Sequence, residues 1–224
     1  MLLTISSVLD ADTLDALPSL FEAVAWKDGR KTAGRTAAAV KDNTQADLTT
    51  RSGAKLRTLL RTAIGRHPVF RAAARPKRFS NLLVSKTRDF GGYGTHVDNA
   101  FMGEGTTRIR TDLSFTLFMS DPDSYQGGEL SIDQAGLTQD IKLPRGDLIL
   151  YPSTSLHRVC PVSDGERIVC VGWVQSSIRD GDLREILFDL ENLKASLAGQ
   201  LDPQSAEMLY LSKSMANLMR KFGD

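Results

Sequence analysis

The spacing of hydrophobic positions changes twice along the chain, and the changes divide it into three parts. Near the start, Ile5-Ser6-Ser7-Val8-Leu9 reads as a short strand. Leu14, Leu17, Leu20, Phe21 and Val24 then recur at three- and four-residue steps, which predicts a helix with one buried face. Asp10 or Asp12 is its N-cap. A turn follows at Asp28-Gly29, and a second helix is predicted from about Thr49 to Ala63, with Leu56, Leu59, Leu60 and Ile64 on one face. From about Arg78 the helical period gives way to short apolar runs separated by turn residues. The candidate strands are Phe79–Ser85, Tyr93–Asp98, Leu113–Met119, Glu129–Ile132, Gln139–Leu143, Asp147–Tyr151, Leu156–Cys160 and Arg167–Gln175. Beyond Asp180 the helical period returns, with one stripe of Leu183, Ile186, Leu187 and Leu190 and another of Leu209, Leu211, Met215, Leu218 and Met219.

This pattern predicts an α+β fold, mainly β. Its core is a double-stranded β-helix, or jelly roll, with a mixed segment before it and a helical segment after it. The expected division is residues 1–77 as a lead-in packing on the core, 78–178 as the jelly-roll domain and 179–224 as the C-terminal helical segment. Those last helices either brace the barrel or form a homo-oligomer face, and the pattern leaves both open.

Composition narrows the function classes. With 41% hydrophobic and 25% charged residues in 224, the chain is long enough to bury a core and ordinary for a globular protein. A net charge of +1 gives no overall pull toward nucleic acid or a membrane surface. Asp10 and Asp12 interrupt the start before a signal-peptide core forms, and no apolar run reaches membrane-spanning length. Two cysteines, Cys160 and Cys170, are too few for a disulfide framework, and a cytoplasmic location is expected. The local charge is less even. Between Asp47 and Asp89 there is no acidic residue but a run of arginines and lysines, including Arg61, Arg75, Arg78, Lys86 and Arg88. The preferred reading is a solvated face balanced by acids elsewhere, over an electropositive face that steers an anionic substrate or partner. An oxygenase acting on nucleic acid would rest on this run alone.

The candidate chemistry centres on Gly91-Gly92-Tyr93-Gly94-Thr95-His96-Val97-Asp98-Asn99-Ala100. On a strand, residues two apart share a face, so His96 and Asp98 would project together. A second histidine, His157, lies on a later predicted strand. Two histidines and one carboxylate with open positions left over form the facial triad that suits non-haem Fe(II). His157 leads through Ser163-Asp164-Gly165 to Arg167, which reads as a hairpin that places an inward Arg167 in the same cavity. A buried arginine needs a partner. One reading pairs it internally with Asp112 or Glu129; the other pairs it with the distal carboxylate of a chelating cosubstrate.

His96-x-Asp98, His157 and Arg167 together resemble the Fe(II)/2-oxoglutarate-dependent dioxygenases. The closer resemblance is to the bacterial PKHD-type hydroxylases. It is carried by Tyr93-Gly94-Thr95-His96-Val97-Asp98-Asn99-Ala100, Arg110-Thr111-Asp112-Leu113-Ser114, Gly127-Gly128-Glu129-Leu130, Leu150-Tyr151-Pro152-Ser153, Ser155-Leu156-His157-Arg158-Val159 and Trp173-x-Gln175-Ser176. Trp26-x-Asp28-Gly29-Arg30-x-Thr32-Ala33-Gly34 and Val40-Lys41-x-Asn43 extend it across nearly the whole chain. The resemblance implies Fe(II) on His96, Asp98 and His157, 2-oxoglutarate held at its far carboxylate by Arg167, and L-ascorbate as reductant. It also implies hydroxylation of an unidentified small-molecule or peptide substrate, with succinate and CO2 as coproducts, and an association with iron acquisition. Tyr93 and Asn99 flank the ligands as candidate orienting groups, with plain packing and turn roles as the alternative. Where related enzymes carry a tyrosine nine residues before the first histidine, this chain has Thr87. A reading of a different class is a non-catalytic sensor that binds iron or 2-oxoglutarate on the same scaffold.

Overall fold

A computed structural model describes residues 1–32 and 39–224; Ala33 and Gly34 of the first extended motif lie outside them. Two antiparallel sheets face each other. The major sheet runs, in spatial order, Leu3–Ile5, Leu148–Pro152, Leu113–Phe118, Arg167–Ser176, Leu83–Thr87, Thr44–Ala46 and Trp26–Asp28, and Pro76–Phe79 also pairs with Arg167–Ser176. The minor sheet runs Leu137–Ile141, Leu130–Gln134, His157–Val159, Gly92–His96 and Lys41–Asp42. Helices α1 (Ala11–Ala23), α2 (Arg51–Arg66) and α3 (Pro68–Ala74) come before the jelly-roll strands, and α4 (Gly181–Leu197) and α5 (Ala206–Phe222) follow them.

The two long central strands explain how this arrangement builds a cavity. Side chains on a strand alternate between faces. In Arg167–Ser176, Ile168, Cys170 and Val174 join the large core, which also holds Leu17 from α1, Leu56, Leu60 and Ile64 from α2, and Phe70 from α3. The intervening Arg167, Val169, Val171 and Trp173 line the space between the sheets. The neighbouring strand repeats the rule, with Val84 in the core and Leu83, Ser85 and Thr87 toward the cavity. Gly172 sits where a Cβ would come within 2.6 Å of the Phe115 ring, so a side chain there would displace the core. A smaller cluster of Phe118, Leu130, Ile132, Ile141, Ile149, Tyr151 and Val169 closes the other end between the sheets.

The helix expectations hold, with adjusted ends. Asp10 caps α1 by accepting from the Thr13 amide at 2.9 Å, and Thr50 caps α2 by accepting from Gly53. Helix α3, seven residues opened by Pro68, is too short to produce a periodic signal. On α4 the predicted stripe is only partly buried: Leu187 is in the interior and Ile186 is half exposed. On α5, Met208 and Met215 are buried while Leu209 is half exposed.

Four strand expectations change. The strand expected over Ile5–Leu9 runs instead over Leu3–Ile5. Phe79–Ser85 is two strands, because Ser80 breaks the run: its hydroxyl accepts from the Trp173 amide and its own amide donates to the Trp173 carbonyl. Ser163-Asp164-Gly165 is not a hairpin turn but part of a strand, Val162–Gly165, that pairs with Tyr125–Gly127. His157–Val159 and Arg167–Ser176 are consequently not hairpin partners; they belong to opposite sheets. They still meet at one cavity, because that extra strand carries the chain from the minor sheet to the major one. Finally, the strand that bears His96 ends there, and Asp98 lies in the loop beyond it.

Candidate metal centre

His96 and His157 are register partners across the minor sheet, where the pairing slips between His157 and Val159. The slip bends the strands and brings the two imidazoles to 4.2 Å between ring centres. Asp98 reaches the same spot from the loop. Among the described residues, His96, Asp98 and His157 form a group whose ligand atoms all lie within 4.8 Å of one another. His157 Nε2 is 3.8 Å from Asp98 Oδ2, too far for a hydrogen bond and close enough for one ion to bridge.

The histidine tautomers follow from their other nitrogens. His96 Nδ1 is 2.8 Å from the Gly94 carbonyl oxygen, and His157 Nδ1 is 3.0 Å from that of Ser155. A carbonyl only accepts, so both Nδ1 atoms carry the proton and both Nε2 atoms present a lone pair. Burial, followed by the neighbouring His157, pushes the His96 pKa down to about 4, which keeps its ring neutral as a ligand must be.

The carboxylate is held as firmly. Ser114 Oγ donates to Asp98 Oδ2 at 2.6 Å and lies 2.7 Å from Ser153 Oγ. Since the carboxylate only accepts, the proton order is fixed: Ser153 donates to Ser114, which donates to Asp98. Both serines are buried, so water does not compete for this chain of hydroxyls. No spacing rule pointed to Ser114 or Ser153. Both sit inside the quoted motifs; for Ser114 the only local sign is a hydroxyl between the apolar Leu113 and Phe115 of a buried strand, and for Ser153, in the turn after Pro152, there is none.

Arg167 lies on the same inner face, 2% exposed, with its Nε buried and without a hydrogen-bond partner among the described residues. Burial works against its charge, while Tyr125, Tyr151 and Glu129 favour it. Among the described residues no carboxylate reaches ion-pair distance of it, so neither Asp112 nor Glu129 is its partner; Asp112 pairs instead with Arg110 at 2.6 Å. Gly128, at φ +71°, makes room for the arginine stem, since a Cβ there would stand 2.9 Å from Arg167 Cδ. The guanidinium is built in and desolvated with no carboxylate beside it among the described residues, which fits a carboxylate-bearing ligand.

The flanking candidates fall as follows. Thr87 is buried, opposes Arg167 in register and lines the cavity. The Tyr93 ring stacks on His96 at 3.7 Å, and burial, then Asp98, pushes its pKa up to about 12. Asn99 offers its main-chain carbonyl to Thr111 Oγ1 and keeps its side chain exposed at the cavity mouth. Tyr151 also borders the cavity, edge-on to His157 at 5.2 Å.

Comparison with known proteins agrees with this geometry. A family model described as the 2OG-Fe(II) oxygenase superfamily matches residues 82–175, the stretch that carries the histidines, the aspartate and Arg167. The fold is that of a Pseudomonas putida prolyl-4-hydroxylase, with a TM-score of 0.51 at 19% identity over 78% of this chain and 92% of that one. It is also that of a 2OG-Fe(II) oxygenase-family oxidoreductase from Burkholderia pseudomallei, with a TM-score of 0.54 at 16% identity over 77% and 82%. Fold and site together define an Fe(II)/2-oxoglutarate-dependent oxygenase. Over their full lengths, the chain is 50% identical to a PKHD-type hydroxylase of Hyphomonas neptunium, across 223 residues, and 47% identical to one of Synechococcus elongatus, across 224. The chain belongs to the PKHD-type hydroxylases.

Proposed function

We propose that His96, Asp98 and His157 hold the Fe(II) of this hydroxylase and that Arg167 receives the distal carboxylate of 2-oxoglutarate. The observation that carries the reading is a single cavity with two unprotonated imidazole nitrogens and a carboxylate at one place and, at another, a buried guanidinium with no carboxylate partner among the described residues. When bound, iron and 2-oxoglutarate supply the oxidising chemistry: decarboxylation of the cosubstrate to succinate and CO2, coupled to hydroxylation of a substrate C–H bond.

The chain's own residues supply position and environment. Gly94 and Ser155 carbonyls fix both imidazoles so that Nε2 faces the metal position. Ser153 and Ser114 hold the Asp98 carboxylate in one orientation. Arg167 sets the far end of the cosubstrate, while Val169, Val171 and Leu130 give the cavity an apolar wall that keeps water from the reacting atoms. Thr87, opposite Arg167, lends a hydroxyl to the same end. The wider proposal includes a small-molecule or peptide substrate and, on family membership alone, ascorbate as reductant and a link to iron acquisition. A cytoplasmic location is in keeping with two free thiols, Cys160 and Cys170. Among the described residues no helix is long and apolar enough to cross a membrane.

The test is His157→Ala. The variant is expected to stay folded but lose stoichiometric Fe(II) binding, measured anaerobically by calorimetry, together with 2-oxoglutarate turnover. Full turnover in that variant would rule out the triad.

A further inference from the structure

The inner cavity, about 100 Å³, is small, and metal and cosubstrate claim it. The body of a substrate has to lie outside. A groove of about 610 Å³ continues from the cavity and shares Leu83, Asn99, Met102 and Trp173 with it. One wall is Arg61 on α2 with Phe79; the other is the hairpin formed by Phe101–Met102 and Ile109–Arg110. Trp173 lies six residues along the strand from Arg167 and on the same face, so the strand runs from the cosubstrate anchor to the groove floor, about 20 Å at strand rise.

Two residues of the basic run noted in the sequence, Arg61 and Arg78, line this groove. Lys86 and Arg88 are paired with Glu166, and Arg75 with Glu191. Arg61 and Arg78, which line the groove, have no carboxylate partner among the described residues. Arg78 is occupied in another way, donating to the carbonyls of Thr106 and Arg108 and so fixing the hairpin. Arg61 lies over the Phe79 ring at 5.1 Å and gives one nitrogen to the Ser80 carbonyl, which leaves the rest of its fork toward the groove. Behind the opposite wall, Arg108 lies over the Phe101 ring at 4.4 Å and has no carboxylate partner among the described residues. Glu104 is the single carboxylate among the described lining residues. On the floor, Trp173 Nε1 is buried with no acceptor among the described residues. An indole N–H in that state points to a ligand oxygen.

We infer that the substrate of this hydroxylase is a carboxylate-bearing molecule lying in the groove, its negative charge on Arg61, its apolar stem between Phe79 and Phe101, and an oxygen accepting from Trp173 Nε1. This rests on the oxygenase reading of the site. One available guanidinium fork with Glu104 nearby suits a single negative charge and disfavours a phosphate dianion.

The test uses the iron-loaded enzyme with 2-oxoglutarate and air. Matched N-acetylated amino acids and capped short peptides are supplied in carboxylate form, with Asp or Glu, and in amide form, with Asn or Gln. Succinate formation above the substrate-free rate and a mass gain of one oxygen are measured. Carboxylate members are expected to stimulate turnover, with amide counterparts at least about tenfold lower in kcat/KM. Arg61→Ala should lower kcat/KM for the carboxylates by about tenfold through KM, and Arg61→Glu should lower it further. Arg57→Ala, an exposed change on the same helix outside the groove, removes the same net charge and should leave kcat/KM unmoved. Equal turnover of the amides, equal behaviour of Arg61→Ala and Arg57→Ala, or silence of the carboxylate set while substrate-free succinate formation persists would overturn the assignment. Loss of substrate-free succinate formation in the unmodified enzyme would instead strike the oxygenase reading.

Discussion

Replacing Arg167 with methionine separates its two roles. The methionine keeps an unbranched side chain of similar length in the channel that Gly128 leaves open, but carries no charge. Arg167 is 2% exposed and has no carboxylate partner among the described residues, so in the absence of ligand it is a desolvated cation whose burial opposes folding. Replacing such a group by an apolar one is commonly neutral or stabilising, and the ligand-free variant is expected to melt at or above the unmodified protein. With 2-oxoglutarate the sign reverses. The carboxylate would enter a water-poor pocket unpaired, at a cost of about 2–5 kcal/mol, or about 30-fold to several-thousand-fold in Kd. Anaerobic calorimetry of 2-oxoglutarate into Fe(II)-loaded protein measures this, with Fe(II) affinity as the control. A change in Kd below about threefold, with the fold intact, would refute the reasoning and make Arg167 a purely structural residue.

Three further outcomes follow from the same contacts. Ser114→Ala leaves Asp98 without its donor and Ser153 without its acceptor, and should weaken Fe(II) binding by about 10- to 100-fold in a metal titration. Thr87→Val removes a neutral hydroxyl beside Arg167 and should weaken 2-oxoglutarate binding by less than about tenfold; a loss as large as that of Arg167→Met would rank Thr87 as a primary anchor. Gly128→Ala puts a methyl 2.9 Å from Arg167 Cδ on a backbone at φ +71°, so it should weaken 2-oxoglutarate binding more than Thr87→Val while leaving Fe(II) binding in place. Equal titrations of Gly128→Ala and the unmodified protein would show that the arginine does not depend on that channel.

The sequence pointed to the candidate site more clearly than to its scaffolding, for physical reasons. His96, Asp98 and His157 stand out as two imidazoles and a carboxylate in ligand-like spacing, and Arg167 as a cation heading the apolar strand Arg167–Ser176, where burial would exclude it without a ligand or partner. Arg167 does face the cavity, together with Val169, Val171 and Trp173, although the hairpin from which that orientation was read does not exist. What did not show was sheet partnership. Val162–Gly165 and Tyr125–Gly127 contain glycines at positive φ, Gly127 and Gly165, whose composition reads as turn although the backbone is paired. The hairpin inferred for His157 and Arg167 therefore placed them in one sheet, when they face each other across the cavity. Asp98 was read as a strand residue, and the strand stops two residues earlier. The serine pair behind Asp98 depends on register between strands that are distant in sequence, Ser114 opposite Tyr151, which no local pattern encodes.

The most direct test of the central claim is succinate formation by the purified chain with 2-oxoglutarate, measured with and without Fe(II) and O2, beside the His96→Ala, His157→Ala double variant. Succinate and CO2 are expected in equal amounts only when both Fe(II) and O2 are present, and none above background from the double variant. An unmodified protein that binds Fe(II) and 2-oxoglutarate tightly yet forms no more succinate than the double variant would contradict it, and would make the cavity a sensor instead of an active site.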